Sequence, residues 1–306
     1  MVGWMLAVAV AAEPPLVEVA VVDHAPIAEN SGIVQSRRWP GTYWVHNDSG
    51  SAASVFALDA AGEVVVPPFL RDRFTVGPEA SRRDPPLWPG LELAGASNID
   101  WEDIAVDDEH LYIGEVGNNG NARRDLGVYV LREPNPAAVD RARPLAFWPV
   151  AYPEQQAFPP DDVWRYDCEA MFVFGGRLYF LSKHRPAGQM GTPRADVDLY
   201  RLDTTHTDRV NVLAHVDHLD DIGGWVTAAD LSPDGRRLAV LVYAPDTAVV
   251  LFEVPAVGDA LLSGPSRRIP LDLQQVKQAE GITWVDATTV RISNEQRQLF
   301  DLSVGD

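Results

Sequence analysis

Three glutamates recur at one place in a repeated pattern. Glu102, Glu169 and Glu280 each stand two residues before the apolar residue that anchors a strand-like run, in the segments EDIAV, EAMFV and EGITW. Ser31 and Ala229 hold the matching place in two further copies. The next position holds Gly32, Asp103, Ala170, Asp230 and Gly281, which adds two carboxylates and two residues too small to fill the space beside them. A second polar set closes the following run of each copy: His46-Asn47-Asp48-Ser49, Glu115 with Asn118 and Asn119, Ser182-Lys183-His184, Tyr243, and Asn294-Glu295. Carboxylates and carboxamides gathered in one place form the all-oxygen donor set of a hard cation, calcium or another divalent ion. The ligands predicted on this basis are Glu102, Asp103, Glu169, Asp230 and Glu280, completed by Asn47, Asn118 or Asn294. Several carboxylates forced together cannot all ionise without a cation or raised pKa values. The other role open to them is to satisfy backbone groups and waters.

A cation so held could polarise a lactone, ester or phosphoryl oxygen and acidify a bound water. His46 or a spare glutamate such as Glu115 would then serve as general base, and Lys183 and His184 would receive an anionic substrate group. Other routes to hydrolysis lack their signatures. The chain has no Gly-x-Ser-x-Gly elbow, no paired-histidine zinc motif and no phosphate-cradling glycine loop. The run His215-Val216-Asp217-His218, beside Asp220, Asp221 and two glycines, reads as an exposed loop rather than a zinc site.

The elements that must position these residues repeat five times, over residues 31–59, 102–132, 169–203, 229–254 and 280–302. Each copy is an apolar strand, a tight turn, a second strand ending in polar residues, and a third strand of aromatic-leucine-acid type. Such a unit cannot bury both its faces alone and must stack on its neighbours. The reading is an all-β fold, a β-propeller of antiparallel sheets around a central channel, with five blades. A degenerate sixth blade would have to lie in residues 143–152 or near Phe69. The first strands line the channel, so the glutamates form a ring near one mouth, on the same face as the polar ends of the second strands. Ser232-Pro233-Asp234-Gly235 and Phe174-Gly175-Gly176 are turns on the opposite face. Leu16–Val22 alternates like a strand without a unit of its own, and is expected to complete the last blade and close the ring.

The chain has 306 residues, within the range of one closed all-β domain, and residues 14–306 are read as that domain. Its net charge of −19 repels phosphate backbones and anionic headgroups, which argues against nucleic-acid and membrane-surface partners. A single cysteine, Cys168, excludes an internal disulfide and a cysteine-based metal site. Residues 1–12 are apolar and end in small residues before Glu13-Pro14-Pro15, like the h-region of a signal peptide without its basic start, and residues 1–13 are read as an export segment. Export is the expected localisation. No other segment is long and apolar enough to span a bilayer, and a monomer is expected.

The motifs SerGly at 31–32, HisAsnAspSerGly at 46–50, AspTrpGluAspIleAla at 100–105, GlyGluValGlyAsnAsn at 114–119 and GluGlyIleThrTrp at 280–284 resemble a group of exported bacterial propellers without an assigned reaction. The GluGlyIle-type strand starts also look like those of gluconolactonase-like, esterase-like phytase and NHL-type propellers. In the gluconolactonase-like enzymes a divalent metal sits in the channel on a Glu, two Asn and an Asp. That likeness implies matches in kind at Glu280 or Glu102, and at Asn294, Asn118 or Asp230. Two functions therefore stand side by side: a metal-dependent hydrolase of a small molecule, or a non-catalytic propeller binding a protein or glycan. Trp39, Trp88 and Trp164 are the aromatic candidates for the second.

Overall fold

Each three-strand unit acquires a fourth strand, taken from a connection in four blades and from Leu16–Val21 in the fifth. The computed structural model describes residues 16–305, so the export segment read at residues 1–13 lies outside the described residues. Blade 1 is β2 (Asn30–Gln35), β3 (Tyr43–Asn47), β4 (Ser54–Leu58) and β5 (Leu91–Leu93). Blade 2 is β6 (Trp101–Val106), β7 (His110–Glu115), β8 (Gly127–Arg132) and β10 (Ala146–Ala151). Blade 3 is β11 (Val163–Phe174), β12 (Arg177–Pro186), β13 (Val197–Arg201) and β15 (Ala214–Leu219). Blade 4 is β16 (Gly224–Leu231), β17 (Arg237–Pro245), β18 (Ala248–Glu253) and β19 (Ser266–Pro270). Blade 5 is β20 (Ala279–Trp284), β21 (Thr289–Asn294) and β22 (Gln298–Ser303), completed from the other end of the chain by β1 (Leu16–Val21). The pairing runs from Leu16 with Leu302 to Val21 with Gln298, which closes the ring as expected. Two short strands, β9 (Arg141–Ala142) and β14 (Asn211–Val212), leave their own blades and add in parallel to β5 and β10 of the blade before.

No sixth blade is hidden in the insertions. Residues 146–151 are the outer strand of blade 2, and the stretch near Phe69 is a single 3₁₀ turn, Pro68–Leu70, followed by a packed loop. Trp88 anchors that loop edge-to-face against Phe74, and its carbonyl accepts a hydrogen bond from buried His24 at 2.7 Å. The hairpin turns fall where expected, with positive φ at Gly175, Gly176 and Gly235.

Alternation along the strands explains the stacking. Leu181 and Leu199 of blade 3 face blade 4, whereas Phe180 and Tyr200, their neighbours in sequence, face blade 2. One apolar cluster fills each of the five seams between adjacent blades. Both sheet faces are buried in this way, so the strands read as nearly continuous apolar runs. Among the described residues, no helix is long and apolar enough to cross a membrane.

Every innermost strand carries a bulge at the same level. The register skips Ser31, Thr227 and Glu280, takes Glu102 and Asp103 together against one partner residue, and skips Glu169. A bulge re-aims the extra side chain, here toward the channel. Blade 4 departs from the reading of the sequence: its ring position is held by Thr227, and Ala229 lies two residues further along β16. In the other four copies the anchoring apolar residue stands two places past the bulge, but in blade 4 that place is Ala229, so anchoring on Leu231 displaced this one copy.

Candidate functional site

The bulges of blades 2 and 3 carry the same local pattern, Asp-x-Glu: Asp100-Trp101-Glu102 and Asp167-Cys168-Glu169. Single oxygens of Glu102, Asp167 and Glu169 all lie within 4.8 Å of one another, and so do oxygens of Asp48, Asp100 and Glu102. Glu102 belongs to both groups. It is only 5% exposed, and among the described residues its carboxylate receives no hydrogen bond. Glu102 and Glu169 are thus the predicted ligands that enter these groups; Glu280 joins neither, and only its charge is felt at Glu169. Asp48, Asp100 and Asp167 were missed as ligand candidates, although the doubled Asp-x-Glu was there to find the last two.

The outer group is held by a rigid loop. Glu115 accepts the backbone N–H groups of Ile99 and Asp100 at 3.0 and 2.9 Å, and Arg123 donates to it at 2.8 Å. The Asn98 carboxamide donates to the carbonyls of Asn47 and Asp48 at 3.0 and 2.8 Å, which ties this loop to blade 1. Beneath it, Gly117 leaves free the space taken by the carboxyl groups of Glu102 and Asp100; a Cβ there would collide with both.

The inner group carries its own counter-charges. Lys183 donates to Glu169 at 2.8 Å, and fully buried Arg185 donates to Asp167 at 2.6 Å and to the Asn119 side chain at 2.7 Å. The remaining Asp167 oxygen accepts the Asn118 N–H at 2.6 Å. Both cationic groups sit over the Trp225 ring, at 5.0 and 5.3 Å from its centre.

Burial and mutual repulsion shape the titration. Burial, then the charges of Glu169, Asp167 and Asp100, push Glu102 well above the usual carboxylate range. Asp100 is pushed up to about 7 by burial and by Asp167 and Asp48. Glu280 is raised to about 7 by burial, against the pull of Lys183. Burial raises Glu169 as well, and the Lys183 ammonium opposes it.

The other predicted ligands are engaged elsewhere. Asn47 clamps the chain at Pro26, Ala28 and Glu29; Asn118 binds the Tyr166 carbonyl and the Arg123 N–H; Asn294 binds Val276 and Gln298. Asp103 accepts the N–H groups of Ile104 and Met171, tying blade 2 to blade 3. Asp230 accepts the Thr283 hydroxyl and the Trp284 N–H, tying blade 4 to blade 5, and it lies beyond the ring level because of the register correction.

The predicted catalytic side chains are also withdrawn from solvent contact or already paired. His46 is fully buried against Trp101, with burial holding its pKa down at about 4. Glu115 is spent on the Ile99–Asp100 loop and Arg123, and Lys183 on Glu169. His184 is fully buried between the Ser182 hydroxyl at 2.6 Å and Asp196 at 3.0 Å. That order, Ser–His–Asp, is the one used by serine hydrolases. Here Ser182 is covered, and its oxygen is taken up by the Asp198 backbone, so no substrate carbonyl can reach it. The His215–His218 run is corrected from loop to strand: it forms β15, where a bulge at Val216 turns both imidazoles to one side, onto Asp198 at 3.0 and 2.7 Å. Of the tryptophans, Trp88 is core and Trp164 donates to the Pro160 carbonyl.

No family model matches the chain, and no curated protein matches it. Among solved structures, a chain in a crystal structure of the mitotic checkpoint complex is similar with a TM-score of 0.44 at 8% identity, over 100% of this chain and 99% of that one. The β-propeller domain of Cps50 (Swd1) from Myceliophteria thermophila is similar with a TM-score of 0.40 at 11% identity, over 90% and 97%. These likenesses concern the fold and say nothing of function.

Proposed function

We propose that this propeller binds a divalent cation, calcium by donor type, on Asp48, Asp100 and Glu102, and uses it to hydrolyse a lactone, ester or phosphoester. Glu102 carries the reading. Carboxylates with a purely structural role in this channel have their donors: Asp103, Asp167, Asp230 and Glu115 each accept at least two hydrogen bonds. Glu102 is only 5% exposed and receives none among the described residues, yet two further carboxylates face it. A buried carboxylate without a partner costs several kcal/mol unless it is protonated or given a cation. The donor set is all oxygen, as hard cations require. It departs from the gluconolactonase-like pattern of a Glu, two Asn and an Asp, since it holds a Glu and two Asp and no Asn.

Hydrolysis adds a base. Glu280 makes no hydrogen bond among the described residues, is partly open to solvent, and is raised to about 7, which suits proton removal from an ion-activated water near neutral pH. One observation favours a second reading, a binding face without chemistry: Ile99 is 52% exposed on the rim, although both flanking peptides are fixed. Export from the cell remains part of the proposal, since weak extracellular calcium modules work at about 0.1–1 mM.

Elemental analysis of the purified protein, with melting curves in EDTA and in calcium, tests the cation. Stoichiometric metal and a chelator-sensitive melt support it; no metal and no shift overturn it. A panel of lactones, aryl esters and phosphoesters then separates the two readings. Turnover lost in both Glu102→Gln and Glu280→Gln supports hydrolysis, and bound metal without turnover supports binding alone.

A further inference from the structure

We propose that Lys183 is a tethered cation filling one half of a two-ion carboxylate site, and that it limits the channel mouth to a single bound metal ion. The inference rests on the cation reading above.

The carboxylates at the mouth form two groups of three that share Glu102. The outer group, completed by Asp48 and Asp100, has one donor among the described residues, the Ser49 N–H on Asp48. It holds three carboxylates and no cationic partner. The inner group, completed by Asp167 and Glu169, receives the Lys183 ammonium, the Arg185 guanidinium and the Asn118 N–H. Its two unshared carboxylates are matched by two positive charges. A carboxylate shared between two such groups has the arrangement of the bridging ligand in two-metal sites, whose ions lie about 3.5–4 Å apart.

Lys183 and Arg185 have different roles. Arg185 is fully buried and also grips the Asn119 main chain and side chain, so it belongs to the wall. Lys183 is slightly open to solvent and its ammonium holds Glu169 alone. An ammonium is a compact point charge. Its nitrogen stands 2.8 Å from the Glu169 oxygen, only a few tenths of an ångström beyond the roughly 2.3–2.6 Å of a calcium–oxygen bond. The stem of the side chain leaves β12 two residues before Arg185, on the same face, and the Trp225 ring lies beside both head groups. Removing this one charge leaves Glu102, Asp167 and Glu169 with Arg185 alone. A second dication then replaces the ammonium, with Glu102 as the bridge.

Manganese(II) is the probe, because calorimetry counts the ions and its electron spin resonance reports whether two ions are coupled. The wild type is expected to take one Mn²⁺ with an isolated-ion spectrum. Lys183→Gln is expected to take two, with an exchange-coupled spectrum. Lys183→Met, which keeps the contact with Trp225, should do the same and covers the case in which the glutamine variant folds poorly. Two ions in the wild type, or one ion in both folded variants, overturns the tethered-cation inference and leaves the single-ion reading standing. No ion in the wild type or the variants overturns both. Glu102→Gln, measured alongside, should take none.

Discussion

The Glu102 carboxyl group occupies the space where a side chain on Gly117 would stand. The loop after β7 passes so close to the mouth that only a hydrogen fits between the two. Gly117→Ala is therefore expected to push Glu102 and Asp100 out of position. Overpacking of this kind costs about 1–3 kcal/mol. Urea unfolding should show that loss, and calcium titration should show weaker binding in the same variant. Wild-type stability with unchanged calcium affinity would contradict the close packing.

Glu102→Gln keeps the shape and removes the charge. With calcium present, the variant should lose the cation-dependent rise in melting temperature, because a ligand that binds only the native state stabilises it by mass action. In EDTA at pH 8 the variant should be more stable than the wild type, on the order of 1–3 kcal/mol, since no buried charge has to be tolerated. Paired melting curves in EDTA and calcium decide both points.

The pH dependence follows from the raised carboxyl groups. Glu102 lies well above the usual range, and Asp100 and Glu280 are at about 7 in the fold, against about 4 when unfolded. The native state therefore binds more protons than the unfolded chain between pH 4 and 8. The contribution of these groups to stability without metal is fully present below about pH 4 and is lost as pH rises from there through 7. Calcium affinity should move the other way, because the ligands must lose their protons, and binding near pH 6 should release protons into weakly buffered solution. Urea midpoints in EDTA that stay flat from pH 5 to 8 would refute the raised values.

Arg185→Met should be the most damaging single change at the mouth. It strands the Asp167 carboxylate, which is fully buried and otherwise holds only the Asn118 N–H. Breaking a buried pair from one side costs about 3–5 kcal/mol. The denaturation midpoint should fall accordingly, and further than in Lys183→Met.

His218→Ala tests the cluster on blade 3. Burial alone would lower the His218 pKa, but hydrogen bonds and charge from Asp198 and Asp220 carry it above its usual value. Its contribution is present at low pH and fades as pH rises through that value. The variant should lose about 1 kcal/mol at pH 6, a figure reduced for solvent screening, and less at pH 8. Its metal content should match the wild type; loss of metal would move the cation site to Asp198.

Much of the fold was legible because each blade buries both faces, leaving three apolar runs per unit and a clear period. Of the fourth strands, only β1 was legible, through its alternation. β5, with three residues, is too short to carry a pattern, and it pairs only because the connection passes there. In the site, Glu102, Glu169 and Glu280 stood out through recurrence, whereas Asp48 follows β3, Asp100 precedes β6 and Asp167 lies within β11, so the three share no one place in the repeat. The displacement in blade 4 shows the limit of anchoring on a large apolar residue when the equivalent place holds only an alanine, Ala229. The asparagines show a different limit. Asn47, Asn118 and Asn294 have the right chemistry on the right face, and only the surrounding backbone reveals that they hold loops.

The latch between β1 and β22 also sets how the ring would respond to force. The two strands are antiparallel, and Leu16 lies opposite Leu302, so a pull applied across those residues loads the same end of the pair. The ladder would break a single hydrogen bond at a time, like a zip, instead of shearing all at once. The weak direction of this latch is thus the line joining Leu16 and Leu302, and tension along that line would open blade 5 first.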